Sequence, residues 1–261
     1  MLLAIDIGNT NIVCGVFDGD RILAKARIAT DHRKTTDEYG VLLNNILTQR
    51  SETDAEDAIH NISAIALSSV VPALTSTFRQ VAKLYFDIEP LVVGPGIRTE
   101  MPVKYNDPRQ VGADRIVNAV AGINLYPPPL IIIDFGTALT FCAISRNKEY
   151  IGGAIFPGLH TSYAALSSRA ALLSMIEFRR PKDYIGKATD ESLQSGAING
   201  FASVVEGMAK RFRTELGDDA VVIGTGGMVD LIADATDVIQ HVEHDLTLKG
   251  LKFLYNLNKD R

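Results

Sequence analysis

Two stretches of the chain share one pattern of hydrophobic and polar positions. Each is an apolar run that ends at an aspartate, followed by a short glycine-containing turn and a second apolar run; the stretches are Leu2–Phe17 and Leu130–Ser145. Short apolar runs joined by a tight polar turn predict two paired strands. The same hairpin is therefore predicted twice, with a carboxylate where the first strand ends.

The two stretches match at a constant offset of 128 positions, which is the difference between Asp134 and Asp6. The matched pairs are Asp6 and Asp134, Gly8 and Gly136, Asn9 and Thr137, and Cys14 and Cys142. We interpret the chain as two related halves, each of which opens with this hairpin.

The rest of the pattern predicts alternating strands and helices. The first half is predicted as β-β-β-α-β-α-β followed by a helix over 110–126, and the acidic stretch 51–58 as a solvated connection. Three prolines, Pro127–Pro129, are the predicted linker between lobes of 1–126 and 130–261. The second half is predicted to have strands near 130–135, 138–144, 149–156, 220–224 and 238–242 and helices over 191–216 and 247–257.

The chemistry of the repeated turn indicates phosphate binding through a cation. Glycine lets a ligand approach main-chain N–H groups, whereas an aspartate attracts a phosphate only when a cation lies between them. Acid, glycine and hydroxyl groups together suggest a clamp for a magnesium nucleotide. An ordinary hairpin turn would use the same residue types, but two copies in matching register favour the clamp.

Charge and composition narrow the classes of partner. The 261 residues carry a net charge of −5 without a block of lysine or arginine, which argues against nucleic acid as the main partner. No apolar run approaches the ~20 residues that cross a membrane, and the N-terminus lacks the features of a signal peptide. Cys14 and Cys142 fall inside predicted strands, as small buried side chains of a cytoplasmic protein would.

Three further segments are candidates for chemistry. The segment Gly112-Ala113-Asp114-Arg115 opens a helix. Either Asp114 has a chemical role, or it stabilises the helix through its dipole while Arg115 lies at the surface. The turn Thr225–Gly227 either presents N–H groups to an anion or begins a helix with Thr225 as its cap. The glycines of 152–158 indicate either a close backbone approach at a cleft or a buried sheet corner.

The duplicated hairpin and the late Thr-Gly-Gly resemble the acetate kinase, sugar kinase, Hsp70 and actin superfamily. Within it, the chain resembles the type III pantothenate kinases through DIGNTNI at 6–12, VGADR at 111–115 followed by Asn118, DFGTALT at 134–140, GGAIFPG at 152–158 and T-x-x-S-x-x-S-G at 189–196. This resemblance implies an α/β fold of two actin-like (ribonuclease H-like) lobes, each a mixed sheet with flanking helices. It also implies ATP-dependent phosphorylation of pantothenate, the first step of coenzyme A synthesis, by a cytoplasmic homodimer.

The resemblance also implies roles for individual residues. Asp114 would be the catalytic base, Asp6 would lie near Mg²⁺, and Asp134 would bind a monovalent cation, either potassium or ammonium. ATP would be bound by Asp6, Ile7, Gly8, Asn9, Thr10, Asn11, Ile12, Val13 and Thr137. Pantothenate would be bound by Tyr105, Gly112, Ala113, Asp114, Arg115 and, from the partner subunit, Thr189.

Physical chemistry is consistent with these implied roles. Phosphoryl transfer to an alcohol requires positioning and charge neutralisation more than covalent catalysis, and the guanidinium of Arg115 suits the carboxylate of pantothenate. Closure of a cleft between the two hairpins would exclude water from ATP.

Two other functions remain possible on this fold. One is a non-catalytic transcriptional accessory factor, which the presence of Asp6, Asp114 and Asp134 and the acidic net charge disfavour. The other is a kinase of the same superfamily that acts on a sugar or a short acid.

Overall fold

The computed structural model describes residues 1–50 and 61–260, so the acidic stretch 51–58 lies outside the described residues. It has two compact units. The first comprises Met1–Glu100, Asp107–Ala121 and Thr247–Arg261, and the second comprises Met101–Asn106 and Gly122–Leu246. The lobes of 1–126 and 130–261 stay a prediction from the sequence.

Strands and helices alternate along much of the described chain. The strands are β1 (Leu2–Ile7), β2 (Asn11–Asp18), β3 (Arg21–Ala29), β4 (Ala64–Ser69), β5 (Leu91–Val92), β6 (Leu130–Phe135), β7 (Ala138–Ile144), β8 (Tyr150–Pro157), β9 (Val221–Thr225) and β10 (His241–Val242). The helices are α1 (Thr36–Arg50), α2 (Pro72–Phe86), α3 (Ala113–Leu125), α4 (Leu159–Arg169), α5 (Thr189–Leu216), α6 (Val229–Ala233) and α7 (Leu246–Asn258), with a 3₁₀ turn at Pro108–Gln110.

The two sheets have the same topology. In the first sheet the strand order is β3-β2-β1-β4-β5, and in the second, read in the same direction, it is β8-β7-β6-β9-β10. The opening hairpin is antiparallel in both sheets, and its first strand pairs in parallel with a later strand, β4 or β9. The predicted fold class is confirmed: this is a duplicated α/β fold built on two mixed sheets.

The duplication is exact in the first strand of the hairpin and shifts by one residue in the second. Ile7 pairs with Ile12 around the first turn, whereas Phe135 pairs with Leu139 around the second. Four residues separate the first pair and three separate the second, so the offset falls from 128 to 127 after the turn. Cys14 faces Ile5, and the structural equivalent of Cys14 is consequently Phe141 rather than Cys142.

Some predicted element bounds differ from the structure. The helix predicted over 110–126 begins only at Ala113. The residues before it form a separate 3₁₀ turn at Pro108–Gln110, which Asp107 caps. The strand predicted over 238–242 is only His241–Val242. Both cysteines are buried thiols, as predicted.

Each sheet buries an apolar face against helices. In the first unit, Ile5, Ile7 and Leu67 share a core with Tyr39 of α1 and Phe78 of α2. In the second unit, side chains of β6 and β7 pack with those of α5 and α6, including Ile131, Phe141, Ala197, Val205 and Ile232. These cores are built from the alternate, odd-numbered positions of β1 and β6, which leaves Asp6 and Asp134 on the other face of each sheet.

Helix α7 packs on that other face of the first sheet, and α3 packs against α7. A side chain at Gly15, which pairs with Ala4, would lie 2.9 Å from Leu248 Cδ1 of α7. A side chain at Gly250 of the same helix would collide with the carbonyl oxygen of Val117 in α3 and lie 2.7 Å from its Cγ1. The absence of a side chain at Gly250 therefore sets how closely α3 and α7 pack.

We expect Gly250→Ala to lower the free energy of unfolding by about 1–3 kcal/mol, because the added methyl group overpacks a contact with main-chain atoms. The measurement is urea unfolding at equilibrium. The matched control is Gly200→Ala in α5, where an added Cβ would meet no atom within 4 Å. The control should raise the free energy of unfolding by up to about 1 kcal/mol, since alanine is the better helix former. Equal effects of the two variants would contradict the packing argument.

Candidate active site

The first hairpin turn is held by main-chain hydrogen bonds and by the end of β3. The N–H of Gly8 donates to the carbonyl of Asn11 at 3.0 Å, and Thr30 Oγ1 donates to the Gly8 carbonyl at 2.7 Å. Asn9 and Thr10 are exposed at the tip, whereas the side chains of Ile7 and Ile12 are buried. The turn thus offers a ligand its main chain and the polar side chains of its tip.

Asp6 lies at the end of β1, half-buried, beside the last residues of β4. It pairs in parallel register with Ser68, and Ile7 pairs with Ser69. Ser69 Oγ accepts a hydrogen bond from the N–H of Val71 at the start of α2, so Ser69 points to the α2 face of the sheet. Asp6 and Ser68 therefore point to the opposite face, on which α7 packs at Gly15.

The segment Gly112–Arg115 begins α3 close to the end of β4. A Cβ at Gly112 would lie 3.7 Å from Val70 Cγ1, just past the end of β4, and would collide with a carboxylate oxygen of Asp114. The structure thus brings this segment to the sheet edge where Asp6 lies. A side chain at position 112 would therefore displace the carboxylate of Asp114 from this position.

The carboxylate of Asp114 is held by its own helix. Its Oδ1 accepts a hydrogen bond from the N–H of Arg115 at 2.8 Å. Burial raises the pKa of the Asp114 carboxyl above its ordinary value, and this N–H and the Arg115 charge oppose the rise only in part. Arg115 is itself buried, with 6% of its surface exposed, so the alternative that placed it at the protein surface is wrong.

The second hairpin has the same construction and packs against the Thr225–Gly227 turn. The N–H of Gly136 donates to the Ala138 carbonyl at 3.1 Å. Asp134 pairs with Thr225, and a Cβ at Gly226 would lie 2.6 Å from both Asp134 Oδ1 and the main-chain nitrogen of Phe135. Gly226 also has a φ of +97°, in the region that favours glycine. This turn brings main chain against the carboxylate of Asp134.

Thr225 is not a helix cap. Its hydroxyl donates to the Glu243 carbonyl at 2.7 Å, and the residue that caps α6 is Met228. The cap alternative is therefore wrong, because the side chain that would cap the helix binds the segment after β10 instead.

The glycine-rich segment 152–158 ends in a close backbone approach to the second turn. A Cβ at Gly158 would collide with the main chain of Gly136 and Thr137. The N–H of Gly158 and the hydroxyl of Thr161 both donate to the Thr137 carbonyl, at 3.1 and 2.7 Å. Thr137 itself is exposed, and these hydrogen bonds to its carbonyl hold its main chain in place.

Tyr105 and Thr189 occupy other parts of the second unit. The ring of Tyr105 lies 6.4 Å from the ring of Tyr150, centroid to centroid, and is half-buried. Thr189 is the exposed first residue of α5. Asp6 and Gly112–Arg115 are thus gathered in the first unit and Asp134, Thr137 and Gly226 in the second, whereas a single site shared by both hairpins stays a prediction.

Glu243, at the edge of the second sheet, was not predicted from the sequence as a candidate residue. Its carboxylate accepts a hydrogen bond from the Tyr126 hydroxyl at 2.6 Å, and burial together with this carboxylate raises the pKa of Tyr126 to about 12. The signal that could have found it is its position directly after a predicted strand, where parallel strands present polar residues to ligands.

Comparisons with known proteins give the chain its relatives. Residues 2–211 match the family model for type III pantothenate kinase. The type III pantothenate kinase of Geobacillus kaustophilus is 48% identical over 265 residues, covering 100% of this chain and 99% of the relative.

Solved structures with low sequence identity share the fold. A Campylobacter jejuni protein described as a conserved Baf-family transcriptional activator has a TM-score of 0.63 at 17% identity, over 99% of this chain and 100% of that one. MreB5 of Spiroplasma citri, solved with AMPPNP, has a TM-score of 0.53 at 11% identity, over 99% and 97% of the two chains. These likenesses establish the actin-like fold.

We expect Asp114→Asn to raise the free energy of unfolding near pH 7. The carboxyl has a raised pKa in the folded protein, so the folded state binds more protons than the unfolded state between the two pKa values and loses stability as the pH rises. The asparagine carries no such penalty. The gain should therefore shrink as the pH falls towards the unfolded pKa, as measured by urea unfolding across pH.

Asp107→Asn is the matched control, because the neighbouring Arg109 lowers the pKa of the Asp107 carboxyl. That stabilisation exists above the unfolded pKa and is lost as the pH falls through the folded one. Asp107→Asn should consequently be neutral or destabilising at pH 7. If Asp114→Asn destabilises the protein at pH 7 as Asp107→Asn does, burial does not disfavour the ionised carboxylate of Asp114.

Proposed function

Because the chain belongs to the type III pantothenate kinase family, we propose that Asp114 and the first hairpin transfer the γ-phosphoryl group of ATP to the primary hydroxyl of pantothenate. The enzyme is a kinase that makes 4′-phosphopantothenate, the first step of coenzyme A synthesis. The observation that carries the assignment of residues is the partly buried carboxyl of Asp114, in a segment close to the end of β4, where Ser68 pairs with Asp6.

Asp114 is suited to act as the general base. A base works best when its pKa approaches the working pH, and burial moves the Asp114 carboxyl in that direction. Its Oδ1 is fixed by the Arg115 N–H, which leaves Oδ2 to accept the proton of the alcohol. The alcohol oxygen then attacks the γ-phosphorus while the bond to the β–γ bridging oxygen breaks, and ADP leaves.

The substrate is gripped beside this base. The buried guanidinium of Arg115 pairs with the pantothenate carboxylate, since a guanidinium binds a carboxylate through two parallel hydrogen bonds. Gly112 and Ala113 give the substrate access to main chain at the start of α3. Tyr105 and, from the partner subunit, Thr189 complete the pantothenate contacts.

ATP is bound by the glycine turns of the two hairpins. Residues 6–13 contact its phosphates, chiefly through the main chain and the exposed Asn9 and Thr10, and Thr137 contacts the nucleotide from the second hairpin. The Thr137 carbonyl is engaged by Gly158 and Thr161, which fixes the orientation of this residue before ATP arrives.

Asp6 would hold Mg²⁺, and Asp134 would hold potassium or ammonium. No group of three His, Cys, Asp or Glu side chains suited to a metal occurs within residues 1–50 and 61–260. One half-buried carboxylate at a strand end nevertheless fits Mg²⁺, which keeps several waters and takes its other ligands from phosphate. When bound, these cations neutralise the charge of the triphosphate. The carboxylate of Asp134, crowded by main-chain groups at Gly226 and Phe135, likewise offers oxygen ligands.

A homodimer is supported by apolar side chains on the second unit. Ile155 is 66% exposed on β8, the outermost strand of its sheet, and Leu172 is 93% exposed. Other exposed apolar residues of this unit are Leu125, Ile151, Phe156, Leu166, Met175, Tyr184 and Ile185. An exposed apolar surface of this kind, ending at an edge strand, is typical of a protein interface, and a second copy of the chain is its proposed occupant.

We place the enzyme in the cytoplasm, where ATP is abundant, and propose neither nucleic acid nor membrane as a partner. No helix among the described residues has the length and hydrophobicity to span a bilayer. A transcriptional accessory role is disfavoured because the acids at positions 6, 114 and 134 are present and the net charge is −5. A sugar kinase would not require pantothenate, which separates that alternative by substrate.

We expect ADP release that depends on pantothenate in the presence of ATP, Mg²⁺ and K⁺, followed in a coupled assay. Asp114→Asn should lower kcat by about 10²–10⁴-fold, because the variant cannot accept the proton of the alcohol. Nucleotide binding, measured by isothermal titration, should be retained.

Asp107→Asn is the control for changing a carboxylate near α3 without removing the base. Absence of ADP release with pantothenate in the folded wild-type protein would refute the kinase assignment. Full activity of Asp114→Asn would instead show that another group is the base.

We expect activity to reappear when inactive Asp114→Asn and Thr189→Ala proteins are mixed and allowed to exchange subunits. Half of the dimers are then hybrids, and each hybrid has one site with intact Asp114 from one chain and Thr189 from the other. About a quarter of wild-type activity should return. Light scattering on the same samples measures the mass of the assembly.

The control is to mix Asp114→Asn with Gly112→Ala, whose defects lie in the same segment of one chain, and this mixture should stay inactive. A monomeric wild-type protein, or no recovery from the first mixture, would contradict the contribution of Thr189 by a partner.

A further inference from the structure

Ser68 has a buried hydroxyl group with no evident role in stabilising the fold. It has 0% of its surface exposed, and Ser68 Oγ has no hydrogen-bond partner among the residues that the structure describes. A hydroxyl taken out of water without a new partner destabilises the folded state. Alanine would fill nearly the same volume without that cost, so packing alone does not explain serine here.

The position of Ser68 on β4 places it beside Asp6. The two residues pair in parallel register, and neighbouring strands lie about 4.8 Å apart. Both side chains point away from the core that the first sheet shares with α1 and α2, at the strand end that Val70 and Gly112 lie close to. The hydroxyl without a partner is therefore next to the carboxylate at the tip of β1.

The adjacent serine shows what a structural hydroxyl looks like in this strand. Ser69 Oγ accepts from the Val71 N–H at 3.1 Å and from Thr75 Oγ1 at 2.8 Å, and so fixes the start of α2. Ser69 points to the opposite face and is fully engaged. The contrast between the two serines separates a role in folding from a role that requires a ligand.

We propose that Ser68 is a positioning residue for Asp6. When the metal nucleotide binds, the Ser68 hydroxyl donates to one carboxylate oxygen of Asp6 and thereby holds the other towards the metal. A serine hydroxyl reaches such a partner by a rotation about χ1, and a hydrogen bond to a carboxylate is stronger than one to a neutral group. Groups that orient a metal-binding carboxylate in this way raise metal affinity. The inference rests on the proposed binding of ATP phosphates by the first hairpin.

The test compares Ser68→Ala with wild type with and without ligand. Without ligand, the Tm of Ser68→Ala should equal or exceed that of wild type, since no hydrogen bond is lost. The rise in Tm on addition of Mg²⁺ and AMPPNP should be smaller than in wild type. In the kinase assay, the Mg²⁺ concentration for half-maximal rate should rise about tenfold, while KM for pantothenate should not change.

Ser69→Ala is the matched control, one residue away on the same strand. It should lower the Tm without ligand, because the hydrogen bonds of Ser69 Oγ to Val71 and Thr75 at the start of α2 are lost, and leave the Mg²⁺ dependence unchanged. Ser68→Thr keeps the hydroxyl and should retain the wild-type Mg²⁺ dependence even if its extra methyl group lowers the Tm.

Two results would overturn the inference alone: a wild-type response of Ser68→Ala to Mg²⁺ and AMPPNP, or a loss of ligand-free Tm as large as that of Ser69→Ala. In both cases wild-type protein would still release ADP with pantothenate. Absence of that wild-type activity would overturn the proposed function, and the role of Ser68 with it.

Discussion

The pairing register of β1 and β4 is the constraint on which the first site depends. It sets Asp6 beside Ser68 and Ile7 beside Ser69, at the end of two strands that are otherwise buried. A slip of one residue would move Asp6 onto the face occupied by Ile5, Ile7 and the helices α1 and α2. An ionised carboxylate is very costly in such a core. The burial of Ile5 and Ile7 in that core therefore fixes the register and, with it, the face on which Asp6 meets a ligand.

The sequence contained most of this arrangement because it depends on local patterns. Apolar runs that end at an aspartate and a glycine turn specify a hairpin by themselves, and their repetition specifies two matching sheets. The burial of Cys14 and Cys142 followed from the same runs. The constant offset of 128 positions did not reveal that the second turn is one residue shorter. Matching residues between the two halves does not show which residues pair across each hairpin.

The pattern of hydrophobic and polar positions does not predict contacts between segments that are distant in the sequence. Gly226 lies against Asp134, Gly158 against Thr137, and Thr225 binds the Glu243 carbonyl. Each contact depends on how closely two backbone segments approach. A glycine or a threonine in the sequence is consistent with such an approach, but also with several other structural roles. The burial of Arg115 was missed for a similar reason, since the first turn of a helix is exposed unless another element covers it.

Two polar groups of the first unit are tolerated by the folded protein rather than stabilising it. Asp114 is a carboxyl whose ionised form is disfavoured by burial, and Ser68 is a buried hydroxyl without a partner among the described residues. The sheet face opposite Ser68 is a closed apolar core, and the serine that borders it is fully hydrogen-bonded. Gln194 Oε1 in α5 is another buried atom without a hydrogen-bond partner among the described residues, so such atoms are not confined to the first sheet. What distinguishes Ser68 is its place in parallel register with Asp6, where a ligand bound at the end of β1 would give the buried hydroxyl a role.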